Sequence, residues 1–137
     1  MLAGYSGTPL LKKLGVKAGS FIRLFDPPVA FCKWIKEQPD PVSWAREGER
    51  ADVIVLFAEW QLRLDELLPV AIDGLETAGG LWIAWPKKAS KVPTDINEDL
   101  LRDVILPLGL VDNKVCAIDE TWSGLRFVWR LENRPKR

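Results

Sequence analysis

Two stretches of the chain are apolar at nearly every position. Residues 51–58 (ADVIVLFA) and 81–85 (LWIAW) place hydrophobic side chains at odd and even positions alike. That is the pattern of strands covered by helices on both faces of a parallel sheet. Between them, Leu64, Leu67, Leu68, Ala71, Ile72 and Leu75 recur at three-and-four spacing, which predicts a helix over 61–77. Pro69 is expected to kink or split it, and Gly79-Gly80 to end it. The same periodicity predicts a helix over 95–106, capped by Thr94, with Leu101, Val104, Ile105 and Leu108 as its inner stripe.

The rest of the chain follows from shorter signals. Thr8, Pro9 and Gly15 suit the cap, first position and stop of a helix over 8–14. Residues 20–26 (SFIRLFD) read as a strand whose Arg23 leaves one side wet. Pro27-Pro28 breaks it, and a short helix over 29–37 carries Phe31, Trp34 and Ile35 on one side. Residues 38–50 form a loop with a short edge strand at 42–45. Near the end, residues 111–118 and 125–131 read as strands, the second alternating Leu125, Phe127, Trp129 and Leu131 with Arg126, Val128 and Arg130. The loop between them, 119–124, is short enough that the two strands pair antiparallel. The order α-β-α-(β)-β-α-β-α-β-β implies right-handed crossovers and one three-layer α/β domain over residues 1–137. Its sheet is mostly parallel and closes in an antiparallel hairpin. Residues 1–5 and 133–137 are expected to be loose ends.

Composition removes many chemistries. The chain has 137 residues, 47% hydrophobic and 28% charged, with 19 basic and 19 acidic side chains. Charge balance disfavours a nucleic-acid partner, and no apolar run approaches the roughly 20 residues of a membrane helix. The opening shows no secretion signal, so a cytoplasmic location is expected, with Cys32 and Cys116 as reduced thiols. Histidine is absent, which excludes the usual His-based nucleophile systems and His-bearing zinc sites. Two cysteines cannot make a four-cysteine zinc site either, so no metal is expected. Ser6-Gly7-Thr8 with Lys12-Lys13 lacks the spacing of a P-loop.

In open α/β sheets, ligands sit beyond the carboxyl ends of the parallel strands. Here those ends carry Asp26-Pro27-Pro28, Glu59-Trp60, Pro86-Lys87-Lys88 and the turn Asp119-Glu120-Thr121-Trp122-Ser123, with the start of the first helix beside them. The candidate ligand-binding residues are therefore Lys87, Lys88, Asp119, Glu120, Trp122, Ser123, Tyr5 and Ser6. The bland alternative is that the lysines pair with Asp119 or Glu120 and merely hold loops.

The strings GYSGTPLLKKLG (4–15), LWIAWPKKAS (81–90) and DETWSG (119–124) resemble a bacterial family of small cytoplasmic proteins of unknown function. More remotely, the chain is similar to the later part of class I S-adenosylmethionine methyltransferases: a strand, a helix, Gly-Gly, a strand ending in proline, another helix and a final antiparallel hairpin. That likeness implies a shortened, Rossmann-like methyltransferase fold. Methyltransferases of this class place a glycine-rich loop after the first strand, where the cofactor needs close backbone approach. This chain has Phe25-Asp26-Pro27-Pro28 there, and the fourth residue of an Asp-Pro-Pro-Tyr motif is Val29. No cofactor is expected. The expected role is a non-catalytic binding or regulatory module recognising a partner protein or small anionic ligand at the carboxyl edge. The alternative is a small enzyme using lysine and carboxylate acid–base chemistry on an acidic substrate.

Overall fold

The computed structural model describes residues 8–38 and 42–136. Its first helix, α1 (Thr8–Leu14), ends as the glycine predicts. Gly15 takes φ +85°, and the Gly15 and Val16 N–H groups donate to the carbonyls of Lys12 and Leu11, both at 3.0 Å. This closing pattern satisfies carbonyls that the helix would otherwise leave bare. Strand β1 (Phe21–Phe25) follows, then α2 (Val29–Lys36), the two-residue strand β2 (Ser43–Trp44), β3 (Ala51–Phe57), α3 (Gln61–Asp73), β4 (Leu75–Pro86), α4 (Glu98–Ile105), β5 (Leu110–Ala117) and β6 (Trp122–Trp129).

The six strands form one sheet in the order β2-β1-β3-β4-β6-β5. β2, β1, β3 and β4 are mutually parallel, while β6 runs antiparallel to both β4 and β5. The two fully apolar segments are adjacent and parallel, with Ile54 opposite Leu81 and Leu56 opposite Ile83. Their side chains divide by parity. Ile54, Leu56, Leu81, Ile83 and Trp85 join one core with Leu64 and Leu68 of α3 and Leu101 and Ile105 of α4. Val53, Val55, Phe57, Trp82 and Ala84 join a second core with Leu10 and Leu14 of α1 and Phe31, Trp34 and Ile35 of α2. A strand buried on both faces has no polar side to give up, and the sheet is the middle of three layers for that reason. Arg23 of β1 is half-buried because its guanidinium covers the Phe25 ring, 4.6 Å from the centroid.

Three boundaries differ from the sequence reading. The helix expected over 61–77 stops at Asp73, running through Pro69 as one helix. Leu75, the last member of its apolar stripe, instead opens β4 opposite Ala51 and is fully buried. One buried leucine satisfies either pattern, so periodicity alone could not choose. Gly79-Gly80 therefore lies inside β4, at an irregularity in the β3–β4 register. A Cβ on Gly79 would come within 2.8 Å of the Asp52 carbonyl oxygen, so these glycines permit close backbone approach where a helix stop was expected. The helix expected over 95–106 begins at Glu98. Its cap is Asn97, whose side chain accepts from the Leu100 N–H at 2.8 Å. Thr94 instead closes a turn ahead of the helix: its hydroxyl oxygen accepts from the Ile96 N–H at 3.0 Å while its O–H donates to the Glu59 carbonyl. Finally, the last strand starts at Trp122 and ends at Trp129, so the hairpin turn is shorter than residues 119–124.

Candidate functional site

The chain leaves β1 for β2 on one side and returns to β3 on the other, so strand order reverses between β1 and β3. Such a reversal opens a crevice at the carboxyl ends of the two strands. Here an ion pair links the residues that follow the two strands. Asp26, just past β1, sits in the left-handed region at φ +50°. Its carboxylate accepts from Arg63 Nε at 2.7 Å and from Nη2 at 3.0 Å, a two-pronged arrangement in which the flat guanidinium matches the carboxylate. The Arg63 hydrogen bonds hold the Asp26 carboxyl below its ordinary value, against a smaller opposing effect of burial. Arg63 stands in the first turn of α3, whose Gln61 N–H donates to Asp95 Oδ1 at 2.8 Å. The β4–α4 loop thus reaches across and ties down the start of α3 through Thr94 and Asp95.

Further along the same edge lie the residues singled out in the sequence. The Lys87 N–H donates to the Thr121 carbonyl at 2.8 Å, extending the β4–β6 ladder by one step, so Lys87 and the hairpin turn share an edge. Asp119 Oδ1 accepts from the Thr121 and Trp122 N–H groups, both at 2.8 Å. This turn closure is a structural task for one carboxylate oxygen. The Trp122 ring meets Phe57 edge to face, with centroids 5.2 Å apart and planes at 85°. It forms the outer wall of the α1/α2-side core. Ser123 sits in the ladder between Trp85 and Ala117. Lys88 and Glu120 are exposed. Among the described residues no ion pair joins Lys87 or Lys88 to Asp119, Glu120 or any other carboxylate. Lys88 opens a single 3₁₀ turn through Ser90, and Lys91 follows at φ +61°. Three lysines are therefore set on one short loop. Tyr5 and Ser6 lie outside the described residues.

The sequence reading placed Asp26 and Glu59-Trp60 at this edge but did not select Asp26 or Arg63 as a pair. The available signal was the reversal of strand order, which becomes readable once residues 43–44 are accepted as a parallel edge strand. Among the described residues there is no group of three or more histidine, cysteine, aspartate or glutamate side chains able to hold a metal ion. No helix among them is long and apolar enough to cross a membrane.

No protein-family model and no curated protein sequence matches the chain. Solved structures do. LepI in complex with SAM aligns with a TM-score of 0.50 at 10% identity, over 89% of this chain and 39% of that one. The glycopeptide N-methyltransferase MtfA complexed with sinefungin aligns with a TM-score of 0.51 at 9% identity, over 89% of this chain and 91% of that one. This chain therefore spans about two-fifths of the LepI chain. The fold is that of a methyltransferase-like, Rossmann-type α/β protein with a mostly parallel sheet and an antiparallel hairpin.

The residues at the β1 turn do not fit the cofactor that this fold suggests. A ligand seated at a strand–helix turn draws on backbone N–H groups and on glycine for close approach. Pro27 and Pro28 have no N–H, and Pro28 is itself the residue preceding α2. Asp26, the residue before Pro27, is already committed to Arg63.

Proposed function

We propose that this protein is a binding or regulatory module that recognises a partner protein or small anionic ligand at the carboxyl edge of its sheet, without methyl transfer. The observation that carries this reading is the loop of Lys87, Lys88 and Lys91, whose ammonium groups have no carboxylate within ion-pair distance among the described residues. Trp122 stands opposite Pro86, the residue before this loop. Cations left unpaired at a strand-end edge favour an anionic ligand. Acid–base catalysis by lysine with Asp119 draws less support, because one oxygen of that carboxylate is committed to the hairpin backbone. Both cysteines are free thiols, which is consistent with the cytoplasmic location expected from the sequence.

The test compares the wild-type chain with the Lys87→Ala/Lys88→Ala double variant. Thermal-shift measurements use a panel of phosphate esters and polycarboxylates, and affinity capture is run from extract of the native cell. The reading expects at least one small anion or captured protein to depend on the two lysines while the unliganded melting temperature stays within a degree or so of wild type. If every wild-type interaction survives in the double variant, the edge is not the binding site.

A further inference from the structure

A second cationic place lies on the α1/α2 side of the sheet, away from the carboxyl edge. Arg126 of β6 stands opposite Trp82 on one side and Lys114 on the other. Residues directly opposed in antiparallel pairs project from the same face, with Cβ atoms about 4.5–5.5 Å apart. Arg126 and Lys114 are thus neighbouring cations on one surface. Leu10 and Leu14 of α1 pack over Trp82, Ala84 and Ile118, and the Lys114 ammonium donates to the Lys13 carbonyl at the end of α1 at 2.9 Å. Arg126 therefore lies beside the end of that helix, four residues along β6 from Trp122, or about 13 Å at strand rise.

The guanidinium is held in place. It rests against Gly80, where a Cβ would overlap its Nε, Cζ and Nη2 atoms. Its single protein acceptor among the described residues is Asn113 Oδ1, 3.3 Å from Nη1, at the register irregularity of β5. Arg63 and Arg102 each have a carboxylate within 3.1 Å, and Arg23 covers a ring. Arg126, half-buried, has neither among the described residues. Burial pushes its pKa down, with no acidic neighbour among the described residues to oppose the shift. A guanidinium carries five donors in a fixed fork, and desolvating such a charge without a counter-charge is costly.

We propose that Arg126, Lys114 and the side chain of Asn113 form an oxyanion site that takes the phosphate group of a small phosphorylated ligand. The fork of Arg126 matches two phosphate oxygens, and the second cation favours a dianion over a singly charged carboxylate. The site shares no residue with the lysine loop at the carboxyl edge, so either can fail without the other.

The experiment titrates the full chain with inorganic pyrophosphate at fixed ionic strength, reading affinity by calorimetry in every variant and, in chains that keep Arg126, following its Nε–Hε resonance by NMR. Acetate at equal ionic strength is the second arm. Saturable pyrophosphate binding that shifts the Arg126 resonance, with an affinity at least tenfold weaker in Arg126→Gln and unchanged in Lys87→Ala/Lys88→Ala, is the expected result. Acetate is expected to move the resonance little. Arg126→Lys keeps the charge but loses the fork, and its affinity is expected to fall between wild type and Arg126→Gln. Circular dichroism checks that each variant folds. If Arg126→Gln does not fold, the wild-type resonance and Arg126→Lys decide the matter. The proposal is overturned by an Arg126 resonance that does not respond, by equal affinity in either Arg126 variant and wild type, by an equal response to acetate, or by loss of binding in the lysine-loop variant.

Discussion

Asp119 is the residue whose replacement best separates structure from function at the carboxyl edge. Its Oδ1 accepts two backbone N–H groups at 2.8 Å, from Thr121 and Trp122, which are both half-buried. Asp119→Ala removes that acceptor and leaves two donors in a turn that water reaches only in part. Hydrogen bonds contribute about 0.5–1.5 kcal/mol each, more when the acceptor is charged, but partial access to water recovers some of the loss. The expected cost is therefore about 1–3 kcal/mol. For a chain of this length that lowers the melting temperature by about 4–12 °C. Asp119→Asn keeps an oxygen in the same place and loses only the charge assistance, so about 1 kcal/mol or less is expected. Urea unfolding followed by tryptophan fluorescence reads the difference as a lower midpoint at unchanged slope. Equal damage from alanine and asparagine would refute the turn-closure argument, as would an alanine variant within about 0.5 kcal/mol of wild type. Loss of ligand or partner binding in both variants at an intact melting temperature would move Asp119 from the scaffold to the binding surface.

Arg63→Gln should change the acid limb of stability. The folded pKa of Asp26 lies below its ordinary value of 3.8 because of Arg63, so its contribution is present above that value and is lost as pH falls through the folded pKa. In the variant, the Asp26 carboxyl should titrate closer to 3.8, and stability should fall less between neutral pH and pH 2; NMR titration and acid unfolding check both. Gly79→Ala, which drives a Cβ to 2.8 Å from the Asp52 carbonyl oxygen, should cost about 1–3 kcal/mol, and a neutral result in urea unfolding would show that β4 can shift to make room. Calorimetry with S-adenosylmethionine should give no binding heat, because the β1 turn offers two prolines and an ion pair where the cofactor needs amide donors; micromolar affinity would sink that account.

Much of the architecture was readable before the structure. The two-sided apolar content of residues 51–58 and 81–85 required a sheet between two helical layers. The hydrophobic alternation from Leu125 to Trp129 required a half-wet strand, and the short turn before it required a hairpin. These are local properties, since side-chain parity and periodicity depend on near neighbours in the chain. The shared edge of Lys87 and Asp119 followed from the same order of elements.

What the tertiary structure decided are the choices that depend on a distant partner. Leu75 suited a helix stripe as well as a strand, and Ala51 of β3 drew it into β4. Thr94 suited a helix cap, but with its O–H anchored to the Glu59 carbonyl, 35 positions away, its oxygen closes the turn at Ile96 and Asn97 caps the helix. Gly79-Gly80 looked like a stop, and its role became visible only against the Asp52 carbonyl and the Arg126 guanidinium. Asp26 and Arg63 stand 37 positions apart, and nothing in either segment marks them as a pair. Arg126 reads as one polar step in an alternating strand; that no carboxylate among the described residues pairs with it is a property of what packs around it. Periodicity is carried by the chain itself, whereas pairing and its absence arise only when remote segments are brought to the same few ångströms.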